Sequence, residues 1–217
     1  MLQHVVEGAR TAKRLREVIV ATDHAGIAEA CAAFGARAWM TAPAHATGTD
    51  RIAEVAARLA DEIVVNVQGD EPLIEGFVID LVVEALSAAP ECAMATAVHR
   101  ADAGAARDPN RVKAVLDRAG NALYFSRAPI PFARGAADPV LWQHVGIYAY
   151  RRTFLLDYVR LPQSPLERAE QLKQLRALEH GHAVRCAVIE GWHSVPVDVP
   201  ADVARVEAAL AARGARA

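Results

Sequence analysis

A chain of 217 residues, 53% of them hydrophobic, is long enough for one large domain with a sizeable core. Its 24 basic and 26 acidic residues leave a formal net charge of -2, which excludes a global field drawing in nucleic acid or an anionic membrane surface. Three scattered cysteines, Cys31, Cys92 and Cys186, without C-x-x-C spacing exclude a disulfide framework or a zinc ribbon, and no apolar run approaches the roughly 20 residues of a membrane span, so a cytoplasmic protein is expected.

Leu2, Val5, Val6, Ala9 and Ala12 recur at helical spacing, so the chain opens in a helix. "EVIVATD" is a short β-branched strand ending on Thr22 and Asp23. A helix over 25–35 follows, with Gly35 as its stop signal. "ARAWM" is a second strand, "TAPAHATGTD" a loop, and "RIAEVAARLA" the next helix, with Thr49 or Asp50 as candidate cap. "EIVVNV" is a third strand, followed by a helix over 76–89 and the strand "CAMATAVH". Strands alternating with helices indicate βαβ units and a parallel sheet covered on both faces.

The pattern changes after Asp108. "RVKAVLD" and "NALYFS" form a hairpin around "RAGN", and "HVGIYAYR" is another strand. Helices are expected over 153–159 and, uninterrupted, over 166–181, the second opened by Ser164-Pro165 and closed by Gly181. "AVRCAVI" and "VPVDV" are late strands, and a helix starting at Pro200 closes the chain. Residues 108–165 have the character of an insertion into that sheet rather than a separate domain, so a single α/β domain spanning 1–217 is expected.

In an open parallel sheet, ligands sit beyond the carboxyl ends of the strands. "VVNVQGDEPL" delivers Gln68, Asp70 and Glu71 there, with Gly69 permitting a sharp turn. One aspartate at a strand tip, joined by a distant partner such as Asp198 in "VPVDVPADV", suits Mg²⁺, which takes few protein carboxylates and borrows phosphate oxygens. Capping of the next helix is the competing account for both acids. In "HATGTDR", Arg51 can offer a fork to phosphate or carboxylate, or lie solvated. "YFSRAPIPF" presents Arg127 from a stiff loop. "WQHVGIYAYR" places His144, Tyr148 and Tyr150 on one face, fit for a polyhydroxylated acid or simply half-buried. No nucleophile–base set stands out, so chemistry would rest on positioning and charge neutralisation.

In series, "ATD", "HATGTDR", "VNVQGDEPL", "DPNRVKAVLD", "NALYFSRAPIPF", "HVGIYAYR", "SPLERAEQLKQLRALEHG" and "VPVDVPADV" resemble the 3-deoxy-manno-octulosonate (KDO) cytidylyltransferases. The resemblance implies an α/β Rossmann-like nucleotidyltransferase three-layer sandwich with an inserted dimerisation and sugar-binding region, and a homodimer. It implies transfer of CMP from CTP to KDO for lipopolysaccharide synthesis, with release of pyrophosphate. It also implies Asp70 and Asp198 as magnesium ligands, with Thr49, Arg51 and Gln68 near the nucleotide. Arg127, His144, Tyr148 and Gln174 would line the sugar-acid pocket, Arg127 acting with the two aspartates in catalysis.

Three departures stand out. The family's opening strand and loop, "IPAR-x-x-S-x-R-x-P-x-K", have no counterpart, and residues 1–4 match the helix that follows it. A sheet short of one central strand is expected, in a fragment, a mis-started reading frame or an impaired product. Lys173 stands where the family has glutamate, and Val199 where it has threonine. A cytidylyltransferase for an amino-substituted KDO or sialic acid, or a non-catalytic paralogue, are the alternatives.

Overall fold

In the computed structural model the described residues are 1–102, 104–135, 139–193, 195–197 and 199–214. They form two compact units, each built of segments distant in sequence.

The first unit takes Met1–Leu59, Asn66–Asp80 and His193–Ala217. Its α1 (Leu2–Arg10) buries Val5, Val6 and Ala9, the stripe expected from their spacing. β1 (Ile19–Thr22) and β2 (Arg37–Met40) run parallel, joined by α2 (Ala25–Ala33). The ring Nδ1 of His24 caps α2 by accepting the Gly26 N–H, and Gly35 ends it at φ +70°. α3 (Gly48–Ala57) starts one turn earlier than expected. Thr47, not Thr49 or Asp50, is its cap: the hydroxyl accepts the Asp50 N–H and donates to the Asp50 carboxylate at 2.7 Å.

Two glycines bring α1 against residues 74–76. The space of a Cβ on Gly8 is taken by the Ile74 carbonyl, and on Gly76 by the Thr11–Ala12 backbone. The Gly76 N–H donates to Thr11 Oγ1 at 3.0 Å across this approach. The last helix of the chain, Pro200–Gly214, also belongs to this unit.

The second unit, Ala60–Val65 with Leu81–Trp192, is built on a six-stranded sheet. Its strands are β3 (Ile63–Val67), β4 (Met94–Arg100), β5 (Lys113–Leu116), β6 (Ala122–Ser126), β7 (Trp142–Arg151) and β8 (Val184–Ile189). The order is β6-β5-β7-β4-β8, with β3 also paired to β7. Between β3 and β4 runs α4 (Gly76–Ser87). β4 and β8 are parallel, but β7 is antiparallel to both β4 and β5, so the sheet is mixed rather than parallel. The ten-residue β7 takes β4 along one edge, leaving the other for β5 and β3. Among the described residues β1 pairs only with β2, and β3 only with β7, so neither joins the other in one parallel sheet.

Two further sequence expectations need correction. The helix over 166–181 is broken: after α5 (Arg152–Tyr158) come α6 (Pro165–Glu170) and α7 (Gln174–Glu179), with Gln171 left-handed at φ +54° between them. Three tertiary anchors straddle the break. The Glu170 carboxylate accepts from Ser126 Oγ and the Arg127 N–H, the Lys173 carbonyl accepts from Tyr158 Oη, and buried Glu167 forms a bidentate pair with Arg176. A straight helix cannot satisfy all three. Second, residues 195–197 form no strand. Pro196 has no N–H to donate, and Val197 donates instead to the Asp70 carbonyl.

Candidate active site

Beyond the end of β3 at Val67, in residues of the first unit, the chain makes a turn in which the Glu71 N–H returns to the Gln68 carbonyl at 3.3 Å. Gln68 Nε2 donates to Oδ1 of the buried Asn66 at 3.1 Å. Asp70 is half-buried at the tip, and its carbonyl receives the Val197 N–H at 2.9 Å. That bond brings the 195–197 segment beside Asp70; Asp198, the expected second acid, lies outside the described residues.

Arg51, one turn into α3, reaches back to the tips of β1 and β2. Nη1 donates to Thr41 Oγ1 at 2.6 Å and Nη2 to Asp23 Oδ2 at 2.9 Å. Asp23's own backbone N–H and the Arg51 guanidinium hold its carboxyl below the usual carboxylate range. Thr49 is buried on the same helix. The preceding loop is tied down by Glu54, which accepts the Ala42 N–H at 2.9 Å and pairs with His45 Nε2 at 2.6 Å.

The second unit gathers the remaining expected residues. His144 and Tyr148 lie along β7 with ring centroids 5.5 Å apart, and Tyr150 continues the row 6.0 Å on. The register slips between Thr96 and Ala97: Thr96 faces Tyr148 while Ala97 faces Val145, so two residues of β7 are extra. Thr96 turns its hydroxyl into this bulge, 2.7 Å from the Ile147 carbonyl and 2.9 Å from His144 Nε2. A hydroxyl has one proton, and the carbonyl can only accept it. The imidazole must therefore donate from Nε2, leaving Nδ1 as an acceptor. Burial against Phe125 and Tyr148 lowers the His144 pKa to about 3, so the ring is neutral.

Tyr148 Oη donates to Gln174 Oε1 at 3.2 Å, and burial pushes the phenol up, so it stays protonated. Gln174 Nε2 is buried with no partner among the described residues. This side therefore offers an acceptor at His144 Nδ1, an acceptor lone pair at Tyr148, and two donors at Gln174. Neutral groups of both kinds suit a ligand rich in hydroxyls.

Arg127 follows β6. Its Nε donates to the Glu170 carbonyl at 2.8 Å and its Nη1 to the Pro109 carbonyl at 2.9 Å, while Nη2 has no partner among the described residues. The guanidinium is thus held from behind with one edge left over for an anion. Sequence reasoning missed Thr96 and Glu170, which fix His144 and Arg127. A lone threonine in an apolar strand and a glutamate in a charged helix carry no signal of their own.

As a candidate metal ligand, Asp70 supplies a hard oxygen. Among the described residues no three His, Cys, Asp or Glu side chains gather as a soft or nitrogen-rich site would require. An oxygen-binding cation with few protein ligands fits that chemistry. No helix of the described residues is long and apolar enough to cross a membrane.

Comparison with known proteins bears on what this arrangement serves. A family model described as "Cytidylyltransferase" matches residues 1–185. A 3-deoxy-manno-octulosonate cytidylyltransferase of Solibacter usitatus is 50% identical over 208 residues, covering 95% of this chain and 82% of its own. An 8-amino-3,8-dideoxy-manno-octulosonate cytidylyltransferase of Shewanella woodyi is 46% identical over 216 residues, covering 97% and 88%. The solved structure of a CMP:2-keto-3-deoxy-manno-octonic acid synthetase complexed with CTP superposes with a TM-score of 0.92 at 40% identity, covering 98% of this chain and 88% of that one. With strand-tip polar residues, a face of neutral donors and acceptors and this degree of likeness, the chain belongs to the 3-deoxy-manno-octulosonate cytidylyltransferase family of nucleotidyltransferases.

Proposed function

We propose that this protein activates KDO with CTP, forming CMP-KDO and pyrophosphate, as a cytoplasmic homodimer supplying lipopolysaccharide synthesis. The observation that carries the sugar side is the His144–Tyr148–Gln174 set, with its neutral acceptors and its orphaned buried amide N–H. An unmet buried donor is costly, and a sugar hydroxyl or carboxylate oxygen is the partner it lacks. The spare edge of Arg127 receives the carboxylate of the acid.

The anomeric hydroxyl attacks the α-phosphorus in line. A new P–O bond forms, the bond to the β-phosphate oxygen breaks, the hydroxyl proton is released, and pyrophosphate departs with the bonding pair. Asp70 and Asp198 would hold Mg²⁺, which when bound neutralises charge on the phosphates. Gln68, Thr49 and Arg51 shape the nucleotide side, Arg51 keeping the tips of β1 and β2 together.

A second reading, with 8-amino-3,8-dideoxy-manno-octulosonate as acceptor, is supported by the Shewanella woodyi relative and by exposed Lys173 beside Gln174. Product analysis with CTP, Mg²⁺ and a panel of KDO, its 8-amino analogue and sialic acid decides between them. CMP-KDO as main product is expected; turnover of another acid alone ends the KDO assignment, and no product with any acid favours a non-catalytic paralogue.

A further inference from the structure

The motif "DPNRVKAVLD" contains a lysine that the reaction as drawn does not use. Lys113 is fully buried on β5, out of reach of any ligand. Its ammonium has three protons and spends them on three backbone carbonyls: Arg127 at 2.5 Å, Arg111 at 2.7 Å and Asp108 at 2.9 Å. None of these acceptors is a carboxylate. Burying a charge without a counter-ion in contact is unfavourable, and a methionine would fill the same volume without that penalty. Burial accordingly pulls the ammonium's pKa down, against the nearby charges of Asp108 and Glu170.

What the ammonium gathers explains its presence. Arg127 is clamped at its carbonyl by Lys113 and at its N–H by the Glu170 carboxylate. Its guanidinium rests on the Glu170 carbonyl and on the Pro109 carbonyl. Pro109 lies between Asp108 and Arg111, the two other residues whose carbonyls Lys113 holds. One buried cation therefore fixes both the backbone that carries Arg127 and the turn on which its side chain leans.

We propose that Lys113 is a positioning residue for the reaction, setting the Arg127 guanidinium by tying the Arg127 carbonyl to the 108–111 turn. The proposal rests on the reading that Arg127 receives the carboxylate of the sugar acid. It differs from a general structural role in acting through Arg127 alone.

The test is a double-mutant cycle on the full chain with Lys113→Met, Arg127→Ala and the double variant. KM for KDO, KM for CTP, kcat and the melting temperature are measured for each. Lys113→Met should raise KM for KDO about tenfold or more while KM for CTP stays within roughly twofold. Arg127→Ala should raise KM for KDO at least as much, and the double variant should match Arg127→Ala alone. Lys113→Gln, which keeps a donor, should fall between wild type and Lys113→Met. Additive losses in the double variant, a parallel rise in both KM values, or loss of cooperative melting in both Lys113 variants would overturn the proposal. An unchanged KM for KDO in Arg127→Ala, or no turnover by the unsubstituted chain, would instead overturn the reading beneath it.

Discussion

At His144 the hydroxyl of Thr96 decides a tautomer, and its burial decides a charge. The imidazole titrates at 6.5 in an unfolded chain but at about 3 here. Between those values the unfolded chain binds a proton that the folded one refuses. Stability from this residue is therefore full above pH 6.5 and falls as pH drops towards 3. Urea midpoints of wild type and His144→Gln should keep a constant offset above neutrality and shift in favour of the variant below it; parallel profiles throughout would refute the buried neutral ring. Asp70 makes the complementary case. Asp70→Asn preserves shape and removes charge, so turnover should fall by roughly 100-fold or more with the melting temperature nearly unchanged. A near-wild-type rate would remove Asp70 from the reaction. The position of Asp70 was legible in the sequence, because an apolar run ending in "GDEP" puts an acid in the turn after a strand, where the structure has it. Arg51 was legible only as a cation: its commitment to Asp23 and Thr41 depends on three segments meeting.

Among the elements, the interruption between α6 and α7 is the instructive one. Local propensity over 166–181 favours one helix, and tertiary contacts break it. Glu167 is the pivot, accepting the Ser164 N–H at 3.3 Å and holding Arg176 through two bonds of 2.6 and 2.7 Å. The guanidinium also lies 5.0 Å above the ring of Tyr158, whose hydroxyl holds the Lys173 carbonyl next to Gln174. Glu167→Ala strands a buried cation and should cost roughly 3–5 kcal/mol in urea denaturation; a loss below about 1 kcal/mol would show the pair to be solvated. The entry to α4 is equally sensitive. A Cβ on Gly76 would sit 2.2 Å from Ala12 N and 2.4 Å from Thr11 C. Only backbone can yield there, so Gly76→Ala should cost about 1–3 kcal/mol or more. In sequence both Gly8 and Gly76 look like weak points in helices; the close approach that requires them is a property of the pair of segments.

For the whole molecule, binding energy and stability are linked. Mg²⁺ with CTP at about 100 times its dissociation constant should add roughly 2.7 kcal/mol, a rise of several degrees in melting temperature. EDTA should remove the metal-dependent part of that rise, and Asp70→Asn should show none of it. No shift with CTP and Mg²⁺ together would mean that triphosphate binding has been lost.

The order of helices and strands, the hairpin after Asp108 and the family were all determined by the sequence itself. Periodicity, β-branched runs, turn residues and eight motifs in series are local signals, and they survive without knowledge of what packs against what. The three-dimensional fold alone decided which strands pair, where the 166–181 helix breaks, that residues 195–197 form no strand, and how Thr96, Glu170 and Lys113 hold His144 and Arg127. Each of those depends on a hydrogen bond or close approach between segments far apart in the chain. Such a bond is worth little until the chain entropy of bringing its ends together has been met by the core.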